Sequence, residues 1–240
     1  MIFVRKKCWL CALHGGRLQT RETALNDSSS DTLSTALSRH GIELPSEQIA
    51  LLDRYCHALW SWNEKLNLTR HTNYEKFVAR DVVDSLALER FLDAGDRVLD
   101  VGTGGGVPGI VLAIVRPDIE MSLCDSVAKK AKAVGAIVTE LGLNIPVHHA
   151  AVQQVLEAHH FHTLVARAVA PLGKLLGWLA GHWESCDHLL VIKGPAWIEE
   201  RAHARESGLL RNLELRKLAA YPLPGTDSES VVLSIRPKEQ

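Results

Sequence analysis

Long apolar runs are what this chain most conspicuously lacks: none approaches the ~20 residues a membrane-spanning helix requires, so no membrane span is expected. It also has no surplus of either charge. The 27 Lys and Arg against 28 Asp and Glu leave −1 with histidines neutral, which removes the signature of a uniformly basic nucleic-acid binder but still permits a local basic patch. Cysteine is sparse, with five in all. Cys8-x-x-Cys11 has no second such pair and no paired histidines downstream to complete a tetrahedral site, so reduced cytoplasmic thiols are expected. His148-His149 and His159-His160-x-His162 lack the spacing of zinc-binding helices and read as solvated or partly packed side chains, so no metal is expected. Repeats and low-complexity tracts are absent too. Arg5-Lys6-Lys7 precedes an apolar patch too short for a signal-peptide core, and residues 1–30 read as a poorly ordered extension.

What is present is an ordinary globular composition, 46% apolar and 23% charged over 240 residues, enough for one good core plus a small appended domain. The most informative stretch is Arg97-Val-Leu-Asp-Val-Gly-Thr-Gly-Gly-Gly-Val-Pro-Gly109. Val98 to Val101 reads as a short buried parallel strand. Gly102, Gly104, Gly105 and Gly106 allow positive φ and close ligand approach, and Pro108 opens a nearly all-apolar helix. Gly104 to Gly109 formally matches GxGxxG, a weak sign of a dinucleotide. Asp100 argues against that reading, because a carboxylate just before the loop repels phosphate and suits a cationic ligand. Asp125 ends the next apparent strand at about the offset expected of a ribose-binding acid. The bland alternatives are a turn residue for Asp100 and a helix N-cap for Asp125.

Residues 31–93 are expected to form a helical N-terminal subdomain. Asp31 caps a helix that stops at Gly41; Ser46 starts another, with Ile49, Leu52, Tyr55, Cys56, Leu59 and Trp60 on one face; and Thr72-x-x-Glu75 reads as a capping box for a third. From residue 94 onward strands and helices alternate: 98–101, 121–125, 146–150, 163–168 and 189–193 as strands, then 213–221 and 230–236 as a C-terminal antiparallel pair. An α/β fold with a mostly parallel seven-stranded sheet closed by such a hairpin is the class I methyltransferase topology. Ligands in such sheets bind beyond the carboxyl ends of the strands, so Asp100, Asp125, Arg167 and Lys193 should face one crevice.

The acceptor side is read from the end of the fourth strand, Val165-Ala-Arg-Ala-Val-Ala-Pro171. It has neither the Asn/Asp-Pro-Pro-aromatic loop of adenine amine methylation nor the cysteine of pyrimidine C5 methylation. An arginine stands there, which suits an acceptor needing no deprotonation, such as guanine N7.

The D-x-G-x-G-x-G pattern from Asp100 resembles the first motif of S-adenosylmethionine-dependent class I methyltransferases. Trp60-Ser-Trp-Asn-Glu-Lys-Leu-Asn-Leu-Thr69, Val78-Ala-Arg-Asp-Val-Val-Asp-Ser-Leu86, Asp125-Ser-x-x-Lys-Lys130, Ala166-Arg-Ala168 and Ile192-Lys-Gly194 extend the likeness. In this order they resemble the ribosomal RNA small subunit methyltransferase G family, formerly called glucose-inhibited division protein B. The resemblance runs from about residue 33 to the C-terminus. It implies N7 methylation of one guanosine in bacterial 16S ribosomal RNA, as naked RNA or small subunit, using S-adenosylmethionine, by a monomer in the cytoplasm. By position it assigns Asp100, Gly102, Gly104, Val107, Asp125, Val152, Gln153 and Arg167 to the cofactor. Arg167 and Lys193 go to substrate positioning, and Arg80, Asn67 and Lys193 to RNA. Other roles stay open: Arg167 pairing with Asp100 or Asp84, Lys193 capping a strand end, Trp60 and Trp62 filling the core. The chain departs from the family pattern at Asp81, where histidine is usual, at Ala166 for serine and at Gln153 for glutamate. Those departures keep a non-catalytic RNA- or ribosome-binding protein in view, and a small-molecule methyltransferase stays open because fold does not fix substrate.

Overall fold

A computed structural model of the chain describes residues 31–223 and 227–238. The expected N-terminal extension, with Cys8-x-x-Cys11, lies outside the described residues. Helices come first: α1 (Leu33–Arg39), α2 (Ser46–Asn63), α3 (Tyr74–Lys76), a π-helical turn (Phe77–Val82) and α4 (Val83–Glu89). Alternation follows with β1 (Arg97–Val101), α5 (Gly109–Val115), β2 (Glu120–Cys124), α6 (Ala128–Leu141), β3 (Val147–His148), α7 (Val152–Ala158), β4 (Phe161–Arg167), α8 (Leu172–Leu179), β5 (Cys186–Lys193), α9 (Trp197–Glu206), β6 (Leu213–Pro222) and β7 (Glu229–Pro237).

The helix starts differ from the expected ones by a residue. Thr32, not Asp31, caps α1 by accepting the Thr35 N–H at 3.2 Å. Asn73, not Thr72, caps α3 through the Lys76 N–H at 2.9 Å. Any short oxygen-bearing side chain with extended backbone can take this place, and the chain direction into the helix decides which does.

The sheet order is β3-β2-β1-β4-β5-β7-β6. Pairings from β3 through β5 are parallel, while β7 runs antiparallel to both β5 and β6. The third strand is shorter than the expected 146–150. It lies at the sheet edge and pairs with β2 only at Leu123↔Val147 and Cys124↔His148.

Alternate strand residues serve opposite faces, as the two-residue period dictates. Val98, Val165, Leu190, Ile192 and Val232 join a core with α1, α2, the π turn, α4, α5 and α6. Leu99, Leu164, Ala166, Val191 and Leu233 join a second core with α7, α8 and α9. The N-terminal helices therefore share one apolar core with the sheet: Leu52, Tyr55, Leu59 and Phe77 pack into the same cluster as Ile110, Leu112 and Ile137. Trp60 and Trp62 are partly buried against that cluster, in line with a packing role.

Candidate functional site

A cavity of about 510 Å³ opens at the carboxyl ends of β1, β2 and β4, within the usual size range for small-molecule sites. Its floor is the loop after β1. Gly102 has φ +67, and a Cβ there would collide with the Val169 side chain, so only glycine lets the two loops meet. The loop is held from three sides. Tyr55 of α2 donates its O–H to the Gly105 carbonyl at 3.0 Å, the Thr103 N–H reaches the Cys124 carbonyl at 3.0 Å, and the Gly104 N–H reaches Asp125 Oδ2 at 3.0 Å.

Asp125 is nearly buried at the cavity edge, and its other oxygen accepts the Val127 N–H at 2.8 Å. That contact closes a two-residue turn while Asp125 still lines the cavity; it is not the expected helix N-cap, because α6 begins at Ala128 with Val127 as its cap residue and no side-chain cap. Asp100 does not line the cavity. Only 1% exposed, it accepts the Thr103 hydroxyl at 2.6 Å and the Gly109 N–H at 2.9 Å through Oδ2, while Oδ1 is buried without a partner. Burial pushes its carboxyl up to about 6, against the opposing pull of those two hydrogen bonds and of the Arg167 charge.

Of the residues expected at the site, Gly102, Gly104, Val107, Asp125, Val152, Gln153 and Arg167 meet around this one cavity. Arg167 ends β4, 17% exposed, and its Nη1 contacts Asp81 Oδ1 at 2.7 Å and Asp84 Oδ2 at 3.1 Å. It pairs with Asp84 and Asp81 and makes no ion pair with Asp100 among the described residues. Lys193, Arg80 and Asn67 are not brought to the cavity. Lys193 is 7% exposed, with its Nζ held by Glu200 at 2.7 Å and the Ala170 carbonyl at 2.6 Å. Glu200 also accepts the Leu172 N–H at 2.6 Å, so this pair clamps the loop after β4. Within that loop Ala168 holds a left-handed φ of 53°, uncommon for a residue with a Cβ. Arg80 is half-buried with Nε unpartnered, and Asn67 is exposed.

Leu68, Thr69 and Lys130 lie within the sequence motifs, whereas Asn63 and Trp178 have no individual role assigned from the sequence. Asn63 Oδ1 accepts the N–H groups of Leu68 and Thr69 at 2.8 and 2.9 Å, folding the turn that brings both residues onto the cavity wall. Lys130 and Trp178 line the cavity as well. Asn63 does fall inside the Trp60 to Thr69 motif, which was the available clue. Among the described residues no group of histidine, cysteine or acidic side chains is arranged to hold a metal ion. No helix among them is long and apolar enough to cross a membrane.

A sheet that is parallel except for its C-terminal hairpin, with a glycine loop after the first strand and an acid after the second, has the class I methyltransferase fold. Solved structures share it. M. capricolum TrmK in complex with S-adenosyl-homocysteine superposes with a TM-score of 0.52 at 12% identity, covering 65% of this chain and 68% of that one.

Sequence comparison narrows the class. The family model described as GidB, rRNA small subunit methyltransferase G, matches residues 48–221. The ribosomal RNA small subunit methyltransferase G of Rhodopirellula baltica is 48% identical over 189 residues, covering 79% of this chain and 82% of that protein. Its namesake from Nitrosococcus oceani is 36% identical over 202 residues, 82% and 90% of the two chains. The chain belongs to the rRNA small subunit methyltransferase G family.

Proposed function

We propose that this protein transfers a methyl group from S-adenosylmethionine to N7 of one guanosine in bacterial 16S ribosomal RNA, acting as a cytoplasmic monomer on the RNA of the small subunit. The observation that carries this reading is one cavity bounded by a glycine cradle, a strand-end acid and an arginine, within a chain of this family. The fit to the cofactor is physical. The positive-φ Gly102 lets the loop after β1 meet the loop after β4 at the cavity, two carboxylates lie at or behind it, and Asp100 keeps one buried oxygen unfilled. Negative charge there suits a ligand bearing sulfonium and ammonium groups.

When bound, S-adenosylmethionine supplies an electrophilic methyl group. Gly102, Gly104 and Val107 cradle it. Asp125, with lone pairs left after two backbone hydrogen bonds, accepts from the ribose hydroxyls. Asp100 acts from behind, fixing the loop through Thr103 and Gly109. Val152 and Gln153 border the adenine. Arg167 faces the acceptor, where its donors match the O6 edge of guanine and leave the N7 lone pair free for attack. N7 carries no proton at neutral pH, so the residues' task is alignment and no general base is needed. Lys193 contributes through the clamp on the loop after β4. Arg80 and Asn67, outside the cavity, are offered to the RNA from the helical N-terminal subdomain, residues 31–93, whose Leu68 and Thr69 form one wall.

The test is incubation of the purified protein with labelled S-adenosylmethionine and small subunits from a strain lacking the gene, followed by mapping of N7-methylguanosine. One labelled guanosine is the expected result, its rate of labelling strongly reduced but still measurable with Arg167→Ala. No label, with S-adenosylhomocysteine binding confirmed by calorimetry, would overturn the reading in favour of a non-catalytic RNA binder or a small-molecule enzyme.

A further inference from the structure

Arg167 ends a strand at an open cavity, and a guanidinium on a long flexible stem has many rotamers to choose from there. Something must select one. Both of its contacts are made by a single nitrogen, Nη1, to Asp81 at 2.7 Å and Asp84 at 3.1 Å. The two acids come from the π turn and from the start of α4, so the widened turn sets the relative positions of the carboxylates. Such turns inside α-helices are frequent at functional sites.

Each acid is braced in turn. Asp84 Oδ1 accepts the Tyr221 hydroxyl of β6 at 2.7 Å. Asp81 Oδ1 also meets His71 Nδ1 at 2.8 Å. Asp81 is 0% exposed, and its Oδ2 is buried with no partner. An apolar side chain would suit that helix face better, since a half-satisfied buried carboxylate is costly.

We propose that Asp81 is a positioning residue for methyl transfer: with Asp84 it pins Nη1 of Arg167, so that the rest of the guanidinium fork faces the acceptor base. The inference rests on the reading of Arg167 as the acceptor-facing residue. In this chain His71 and Asp81 act as a pair, the histidine holding the carboxylate on the oxygen that grips the arginine.

The experiment is a double-mutant cycle on methyl transfer to small subunits, read as kcat and KM, with S-adenosylhomocysteine affinity from calorimetry. Asp81→Asn, which keeps the side-chain size, lowers kcat by about tenfold or more while KM and cofactor affinity stay within about twofold, as expected when only alignment is lost. In an Arg167→Ala background, whose residual rate is followed by single-turnover labelling, the same substitution changes the rate by less than about twofold, because its target is already gone. Equal fold losses in the two backgrounds, or no loss from Asp81→Asn alone, would overturn the proposal. Failure of the unmodified protein to methylate would instead overturn the functional reading beneath it. Should Asp81→Asn not fold, Asp81→Ala takes its place in the same cycle under the same criteria.

Discussion

Asp100 shows how one carboxylate can serve a site without touching the cavity. Its ionised form is stabilised by a hydroxyl, a backbone N–H and the nearby Arg167 charge, yet burial outweighs them and holds its carboxyl at about 6 instead of 3.8. A folded-state value raised above the unfolded one means that the native protein binds the proton more tightly. The contribution to stability is then full below pH 3.8 and is lost as pH rises through 6. Between about pH 4 and pH 7 this single group costs the native state about 3 kcal/mol. Asp100→Asn removes this pH-dependent cost, because the amide carries no ionisable proton. Melting temperatures recorded across that range should show the variant gaining on the unmodified protein as pH rises, by several degrees at neutrality; parallel curves would refute the assignment. Arg167→Ala works in the opposite sense, raising the Asp100 value further because a favourable charge is withdrawn. At this scale the sequence was legible wherever a residue's neighbours in the chain decide its fate. Asp125 follows directly on the second strand and lines the cavity, as its position predicts, although Val127 and not Asp125 is the N-cap residue of α6. The pairing of Arg167 with Asp84 was among the readings left open, but the partners of Asp81 and Lys193 come from distant elements that no local pattern announces.

Elements were easier to read than their junctions. Every expected strand from 98–101 to 230–236 has its counterpart, because β-branched runs bounded by glycine, proline and aspartate leave little alternative. The π turn was invisible, since Phe77, Val78 and Val82 stay buried whether the helix there is wide or regular. The contact of α5 with β2 offers a direct test of element packing. A Cβ on Gly109, the first residue of α5, would collide with the Leu123 side chain and stand 2.8 Å from Asp100 Oδ2. Gly109→Ala must therefore push the helix away from β2 and stretch the N–H bond to Asp100. The expected loss is about 1–3 kcal/mol, typical of overpacking, read from the urea midpoint at constant slope. An unchanged midpoint would mean that the helix start adjusts without cost.

The described residues from Asp31 onward form one compact unit, since the N-terminal helices fill a core they share with α5, α6 and one face of the sheet. Urea unfolding followed by tryptophan fluorescence, with Trp60 and Trp62 at one end of the chain and Trp178 and Trp197 at the other, should coincide with the far-ultraviolet transition. A chain begun at residue 94 should fail to fold cooperatively, because Ile110, Leu112 and Ile137 lose their partners on α2; two resolved transitions would argue for independent units. The order of the last strands carries a further consequence for synthesis. The final strand, β7, lies between β5 and β6, so the outer edge of β5 stays open until the chain has been made through Pro237. A nascent chain halted shortly before that point carries the whole cavity lining but an unpaired strand edge, the kind of surface that recruits other chains. Tyr221, which braces Asp84 from β6, has no sheet to sit on until then. The cavity lining is thus made before the strand that joins β5 to β6, and the brace on Asp84 depends on a part of the sheet synthesised after the residue it steadies.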